Sequence, residues 1–437
     1  MNTSTHDCLT PCSIKEIFDL PNITSAAGFN LLTDLADNLG INRALEKLSI
    51  GKEDWAKYSA GLEAQLLILA YSLGFQRIEH MEILKDDPLL LEKFQLASLP
   101  HKSNLYRLLE RFDSQDKIDE LSKVNSIPVK FLVNKDRPLV LDMDSTVNTV
   151  YGVQENSTVG YNPRYPGRRS YQPLIAFDGD SQAVLNCKQR NGMTCSSTEV
   201  IDFYLQSKRR LPQGVKLGYV RADKGFSGQE LLEQLDKDGI YYAIKLRKTK
   251  EIERRLSRGV LWKRIYADYS TAIEVGSINV RLSTWNKHRR VVVIRSTEYA
   301  DSGQLRLFDL WDYQFIVTNL DWPPLDIWQF YNRRATCENT IKELKYGVNI
   351  NCITKNEFYG NFADLWLKII AYNLLLVLKM NGPKESQNWS IPKLQRLLLN
   401  IPAMLIKHAR QLKLRLPSWW PYRHIWQNLR LPIPVLQ

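Results

Sequence analysis

The sequence predicts an α/β fold: a mixed sheet flanked by helices, with an all-helical N-terminal domain and a β-rich insertion. Three observations predict it. Residues 26–136 carry the apolar periodicity of helices. Residues 137–248 read as three consecutive strands followed by strands separated by helices, the pattern of a mixed sheet covered on both faces. Residues 249–321 then turn to short, basic segments rich in β-branched side chains.

Residues 1–20 read as a loose arm. Phe29, Leu32, Leu35, Ala36 and Leu39 then form one helical stripe that Gly40 closes. Residues 96–112 fit either a turn and recognition helix, with Lys102, Asn104, Arg107 and Arg111 facing DNA, or an amphipathic bundle helix. Strands are predicted at 139–147, 169–178, 182–190, 215–222 and 240–246, with a helix at 197–210 capped by Ser196 or Ser197 and another after Ser227. This order suits an RNase H-like sheet, in which the first strand is central and the fourth lies beside it. Asp144 and Asp223 then become neighbours. The boundaries that follow are 1–136 helical, 137–248 first part of the core, 249–320 β-rich insertion, 321–382 second part of the core and 383–437 a basic aromatic tail.

Chemistry-bearing residues sit at the ends of these elements. The first strand holds Asp142 and Asp144 at i and i+2, hence on one face. The fourth ends on Asp223 before a Gly-containing turn, where α/β folds tend to keep their chemistry. Further on, Tyr331, Arg334, Glu338 and Lys345 lie at offsets 0, +3, +7 and +14, which on one helix fall within an arc of roughly 60°. A carboxylate flanked by cations suits a metal-dependent site that also holds phosphate. A solvated charged face would share the pattern.

Composition points the same way. Lys and Arg number 59 against 47 Asp and Glu, a net charge of +12 that favours a polyanionic partner. Residues 1–136 carry 15 basic and 20 acidic side chains, leaving 44 and 27 in the remainder, so DNA affinity is expected outside the leader. The six cysteines form no CxxC pair and no zinc spacing, which predicts reduced thiols. No signal peptide is evident. The longest apolar run, 366–378, is interrupted by Lys368 and reads as a buried helix too short for a bilayer. A soluble, cytoplasmic protein is expected, with no membrane partner.

Leu-Asp-Met-Asp-Ser-Thr (141–146), Gly-Val-Gln-Glu (152–155), Gly-Tyr-Asn-Pro (160–163), Tyr-Gln-Pro-Leu (171–174), Arg-Ala-Asp-Lys-Gly-Phe (221–226) and the Tyr–Arg–Glu–Lys set resemble the DDE transposases of bacterial insertion sequences. More narrowly they are similar to the IS-four-like superfamily and its "thirteen-eighty" group, as are Ala-Tyr-Ser-Leu-Gly-Phe (70–75) and Asp-Asp-Pro-Leu (86–89) in the leader. The resemblance covers most of residues 25–380. It implies Asp144, Asp223 and Glu338 as catalytic metal ligands for two Mg²⁺ ions, with Mn²⁺ able to substitute. Asp144 is favoured as the first ligand because the family's first aspartate directly precedes Ser or Thr. Asp142 is the alternative, or a partner that supports the ligand. Spacing from Glu338 selects Lys345 over Lys342.

Two divalent ions about 3.5–4 Å apart stabilise the entering and leaving oxygens of an in-line phosphoryl displacement. The implied activity is cleavage of double-stranded DNA at the element's terminal inverted repeats and joining to target DNA, by cut-and-paste through hairpinned ends, in a homodimeric synaptic complex. Candidate DNA contacts are Tyr331, Arg334 and Lys345; Arg164, Arg168 and Arg169, which could equally lie in a solvated loop; and Lys287, Arg289 and Arg290 in the basic insertion. Trp285 is either the aromatic that holds a flipped base or a β-core tryptophan. The tail with Trp419, Trp420, Tyr422 and Trp426 either contacts phosphates or docks by its aromatics. A domesticated DNA-binding protein without transposition activity is the alternative reading, although all three carboxylates are present.

Overall fold

A computed structural model describes residues 14–52, 55–195, 197–267, 271–298, 311–409 and 411–430. Nine strands form its main sheet: β1 (Leu139–Ser145), β2 (Leu174–Asp178), β3 (Val184–Lys188), β4 (Leu217–Ala222), β5 (Tyr241–Leu246), β6 (Lys263–Ala267), β7 (Thr271–Val280), β8 (Arg289–Glu298) and β9 (Asp312–Thr318). Their order is β6-β7-β8-β9-β5-β4-β1-β2-β3. β1, β4 and β5 run parallel, and every other pairing is antiparallel. The β-rich segment therefore extends the core sheet edge-on through β9, which pairs with β5.

The predicted strand over 169–178 divides in two. Arg169–Tyr171 joins a small sheet with Asn148–Thr149 and Thr158–Val159, and only Leu174–Asp178 enters the main sheet. Pro173, which has no N–H to give a ladder, stands at the break.

Helices labelled below are α1 (Phe29–Leu39), α2 (Ala60–Leu73), α3 (Lys102–Glu110), α4 (Gln115–Leu132), α5 (Val200–Arg209), α6 (Gln229–Lys237), α7 (Pro324–Asn332), α8 (Ala335–Gly347) and α9 (Phe358–Asn381). α1 ends at Gly40, whose φ of 82° is the left-handed stop that its periodicity predicts. Neither Ser197 nor Ser227 caps its helix: α5 follows Glu199, itself left-handed at φ 59°, and α6 follows Gly228, while the Ser227 hydroxyl donates to the Lys224 carbonyl. Ser196 lies outside the described residues. α3 buries Leu105, Leu108 and Leu109 and ties Lys102 to Glu82 at 3.1 Å, the behaviour of a bundle helix.

α9 runs through the middle of the fold, packed on α2, α3 and α4. At 24 residues it is long and apolar enough to cross a membrane, contrary to the expectation from the 366–378 run, yet it is wholly buried in the protein. Two polar residues within the apolar run are satisfied internally. Lys368 donates to Asp364 at 2.7 Å, and Asn373 donates to the Val184 carbonyl at 2.9 Å while accepting from the Val184 N–H at 3.0 Å.

The chain's C-terminal part docks onto its beginning. Ala403–His408 pairs with Ile23–Thr24, so the N-terminal region is not wholly helical. Gly28 lies against Leu399 so closely that a Cβ would stand 2.3 Å from the Leu399 Cα. Trp389 and Trp426 are buried and Trp420 donates to the Leu397 carbonyl at 3.0 Å, which leaves Trp419 as an exposed tryptophan there. Aromatic docking, rather than phosphate contact, accounts for Trp420 and Trp426.

Candidate active site

β1 and β4 are parallel neighbours with Asp142 opposite Arg221 and Met143 opposite Ala222. Asp144 on β1 and Asp223, one residue beyond β4, therefore emerge at the same end of the sheet. α8 brings Glu338 to this end: the charges of Asp223 and Glu338 both reach Asp144. Burial, reinforced by those two carboxylates and opposed by Arg334, pushes the Asp144 carboxyl above its usual range. An Arg334 Nη2–H meets Asp144 Oδ2 at 3.0 Å, and the Ser145 N–H donates to Asp144 Oδ1 at 2.8 Å.

The predicted single helix from Tyr331 to Lys345 is interrupted. α7 ends at Asn332, Arg333 and Arg334 form a turn, and α8 starts at Ala335. Both turn residues keep helical dihedrals, so the column of side chains survives the break. Tyr331 and Arg334 are buried, Lys345 is half-buried and Glu338 is exposed. Burial opposes charge on Arg334, but Asp144, Cys337, Tyr331 and Asp142 together hold its pKa above the ordinary value. Its Nε–H has no partner among the described residues. Burial chiefly raises the Tyr331 phenol to about 12, so it stands neutral as a donor. Burial and then Arg164 lower the Lys345 pKa, which places Arg164 on the same side of the molecule.

Asp142 is occupied otherwise. It is fully buried and takes both hydrogen bonds of the Arg221 fork, Nε to Oδ1 and Nη2 to Oδ2, each 2.7 Å. Arg221 Nη1 reaches on to the Phe330 carbonyl at 2.8 Å, fastening the end of α7 to the sheet. Sequence reasoning missed Arg221, although the signal was present: Arg221 and Asp223 repeat at the end of β4 the i, i+2 spacing of Asp142 and Asp144 on β1.

Three hard carboxylate donors, two of them acting on the third, Asp144, are a donor set suited to a divalent cation. As placed, no three His, Cys, Asp or Glu side chains among the described residues stand close enough to hold an ion, and Asp144 is turned onto Arg334 instead.

The family model described as "Transposase DDE domain group 1" matches residues 8–436. The chain belongs to the DDE transposase family. Among solved structures the transposase is similar to the piggyBac transposase in its synaptic complex with hairpin DNA. The two are 11% identical, the match covering 85% of this chain and 78% of that one with a TM-score of 0.44. No curated protein matches it.

In this transposase the remaining candidates separate into two places. Arg164, Arg168 and Arg169 lie on the arm of 148–171, with Arg164 near Lys345. Arg164 packs on Tyr165 and Arg168 on Tyr151, at 5.5 and 5.7 Å from the ring centroids, while Arg169 donates to the Ser157 carbonyl at 2.6 Å. Lys287, Arg289 and Arg290 sit at the opposite end of the sheet, near the start of β5 and the end of β9. Trp285 is 2% exposed within the main core, its backbone carbonyl accepting from Arg281 Nε at 3.0 Å. Sealed in apolar contacts, it presents no ring face to a base.

Proposed function

We propose that this transposase cleaves the ends of an insertion sequence and joins them to target DNA by phosphoryl transfer at Asp144, Asp223 and Glu338, on an RNase H-like core. The observation that carries the reading is the pairing of buried Arg334 with Asp144 where the charges of Asp223 and Glu338 converge, with the Arg334 Nε–H left without a partner. The strand order of the core, with β1 central and β4 beside it, supports the same reading.

Asp144, Asp223 and Glu338 would hold divalent cations, Mg²⁺ with Mn²⁺ as substitute. Such ions supply charge neutralisation for the entering and leaving oxygens and a more acidic water. Arg334 opposes the rise that burial gives the Asp144 pKa and offers Nε–H to a phosphate oxygen. Lys345, whose charge burial disfavours, gains from a phosphate beside it, and the neutral Tyr331 phenol can donate to one. In the first step water attacks the phosphodiester at the element's end and the P–O3′ bond breaks, leaving a free 3′-OH. That hydroxyl then attacks a target phosphodiester and displaces its 3′ oxygen, so one site serves both steps. The partners are double-stranded DNA bearing terminal inverted repeats and target DNA, in a homodimeric synapse. Transposition is by cut-and-paste with hairpinned ends. The motifs of residues 141–174 support placement in the IS-four-like superfamily near the "thirteen-eighty" group.

The test is excision and joining on the element's own ends in Mg²⁺ and in EDTA, with wild type, Asp144→Asn and Glu338→Gln. Metal-dependent cleavage lost in both variants, with end binding retained, is the expected result. Cleavage by Glu338→Gln overturns the assignment. Tight end binding by a wild type that never cuts favours a domesticated DNA-binding protein.

A further inference from the structure

A cleft of about 460 Å³ opens at the end of the sheet remote from Asp144, lined by Asp236, Tyr242, Lys287, His288, Arg289, Arg290 and the residues after β9. Arg289 forms its inner wall and is 4% exposed. Its Nη1 donates to Asp236 Oδ2 at 2.5 Å and to the Tyr242 hydroxyl at 2.6 Å. Its Nε and Nη2 have no partner among the described residues. Those two N–H groups form one edge of the guanidinium, the fork that grips two oxygens of an anion at once. The same chain shows that fork at work in Arg221, where Nε and Nη2 hold the two oxygens of Asp142. In Arg289 the equivalent edge is vacant, although a buried donor without an acceptor is costly and signals a missing water or ion.

From these observations we infer that Arg289 is the base of a second phosphate site, rimmed by Lys287, His288 and Arg290, that grips a backbone phosphate of bound DNA. The inference rests on the transposase reading and adds a place for DNA far from the chemistry. Phosphate suits the fork because it presents paired oxygens. Lys287 and His288 are exposed at the mouth, where Asp321 also lines the cleft, and among the described residues Lys287 has only the shared Asp236 as an acidic partner, at 3.0 Å. β8 lies four strands from β1, and the cleft is at the opposite strand ends. At ~4.8 Å per strand and ~3.3 Å per residue this separates it from Asp144 by roughly 25 Å. At ~3.4 Å per base pair, the duplex held there is about seven base pairs from the scissile phosphate, or belongs to another DNA segment.

The test uses the full chain. Arg289→Lys keeps the charge but removes the fork, and Lys287→Gln with His288→Ala alters only the exposed rim. Binding to an end duplex extending at least 15 base pairs inward is titrated against salt. Thermal unfolding is compared in inorganic phosphate and in chloride of equal ionic strength. The expected result is a salt slope reduced by about 0.9 for each phosphate that the rim variant no longer neutralises, and for Arg289→Lys, which keeps its charge, a lower affinity at nearly the same slope. Binding should weaken, and phosphate should stabilise wild type but not Arg289→Lys. Should Arg289→Lys fail to fold, the rim variant still reads the slope. Unchanged slope and affinity in the folded variants overturn the inference. Stabilisation by inorganic phosphate without any change in DNA binding also overturns it, because the site then takes a free anion. A wild type that binds no DNA refutes the transposase reading instead.

Discussion

Replacing Arg221 by Met should destabilise the protein by about 4 kcal/mol. Removing one partner of a buried ion pair costs about 3–5 kcal/mol, because the other charge is left uncompensated. Asp142 is fully buried, and both its oxygens depend on Arg221 at 2.7 Å. Two charge-assisted hydrogen bonds at roughly 1.5–3 kcal/mol each give the same range independently. Met preserves much of the stem that packs beside the Phe330 ring, 5.1 Å from the guanidinium, but leaves the Phe330 carbonyl without its donor. Adding Asp142→Asn removes the stranded charge and should recover about 1–3 kcal/mol. The assay is urea unfolding at pH 7.5 followed by tryptophan fluorescence for wild type, Arg221→Met and the double variant. An Arg221→Met protein within about 1 kcal/mol of wild type would refute the reasoning, since it falls outside the cost of breaking a buried pair. So would a double variant no more stable than the single one. Cleavage by the folded fraction should also fall, since α7 loses its attachment just before Tyr331 and Arg334.

Trp285→Ala should cost about 3–5 kcal/mol as a core truncation, whereas Trp285→Phe should restore most of the stability; joining activity per folded molecule should be unchanged in both, and selective loss of joining would return Trp285 to the DNA. Burial raises the Glu63 carboxyl above its ordinary value despite Lys52 at 2.6 Å, so the folded chain holds this proton more tightly than the unfolded one. That stabilisation is complete below the unfolded value and is lost as pH rises through the folded value. Wild type should therefore lose stability relative to Glu63→Gln as pH rises from about 4, measured by urea midpoints, and a pH-independent difference would refute the shift.

Local chemistry made much of this protein legible from its residues. Strand alternation placed Asp144 and Asp223 at strand ends, and helical spacing placed Tyr331, Arg334, Glu338 and Lys345 in one column. Gly40 stopped α1 where its left-handed backbone requires. These are near-neighbour properties: dihedral preference, side-chain period and turn chemistry act over a few residues, so a sequence states them directly. What the sequence left open was which residues meet over long separations. Asp142 and Asp144 share a face and a chemistry, and only the parallel register of β1 with β4 gives Asp142 its partner, Arg221, 79 residues away. Trp285 reads as either a base-holding aromatic or a core tryptophan in a basic segment, and Arg289 there reads as a DNA contact. Tertiary packing buries the first in the core and sets the second, with one fork unsatisfied, at the end of the sheet away from the carboxylates. Burial and partner choice depend on the summed packing of remote segments, which no local window of sequence contains.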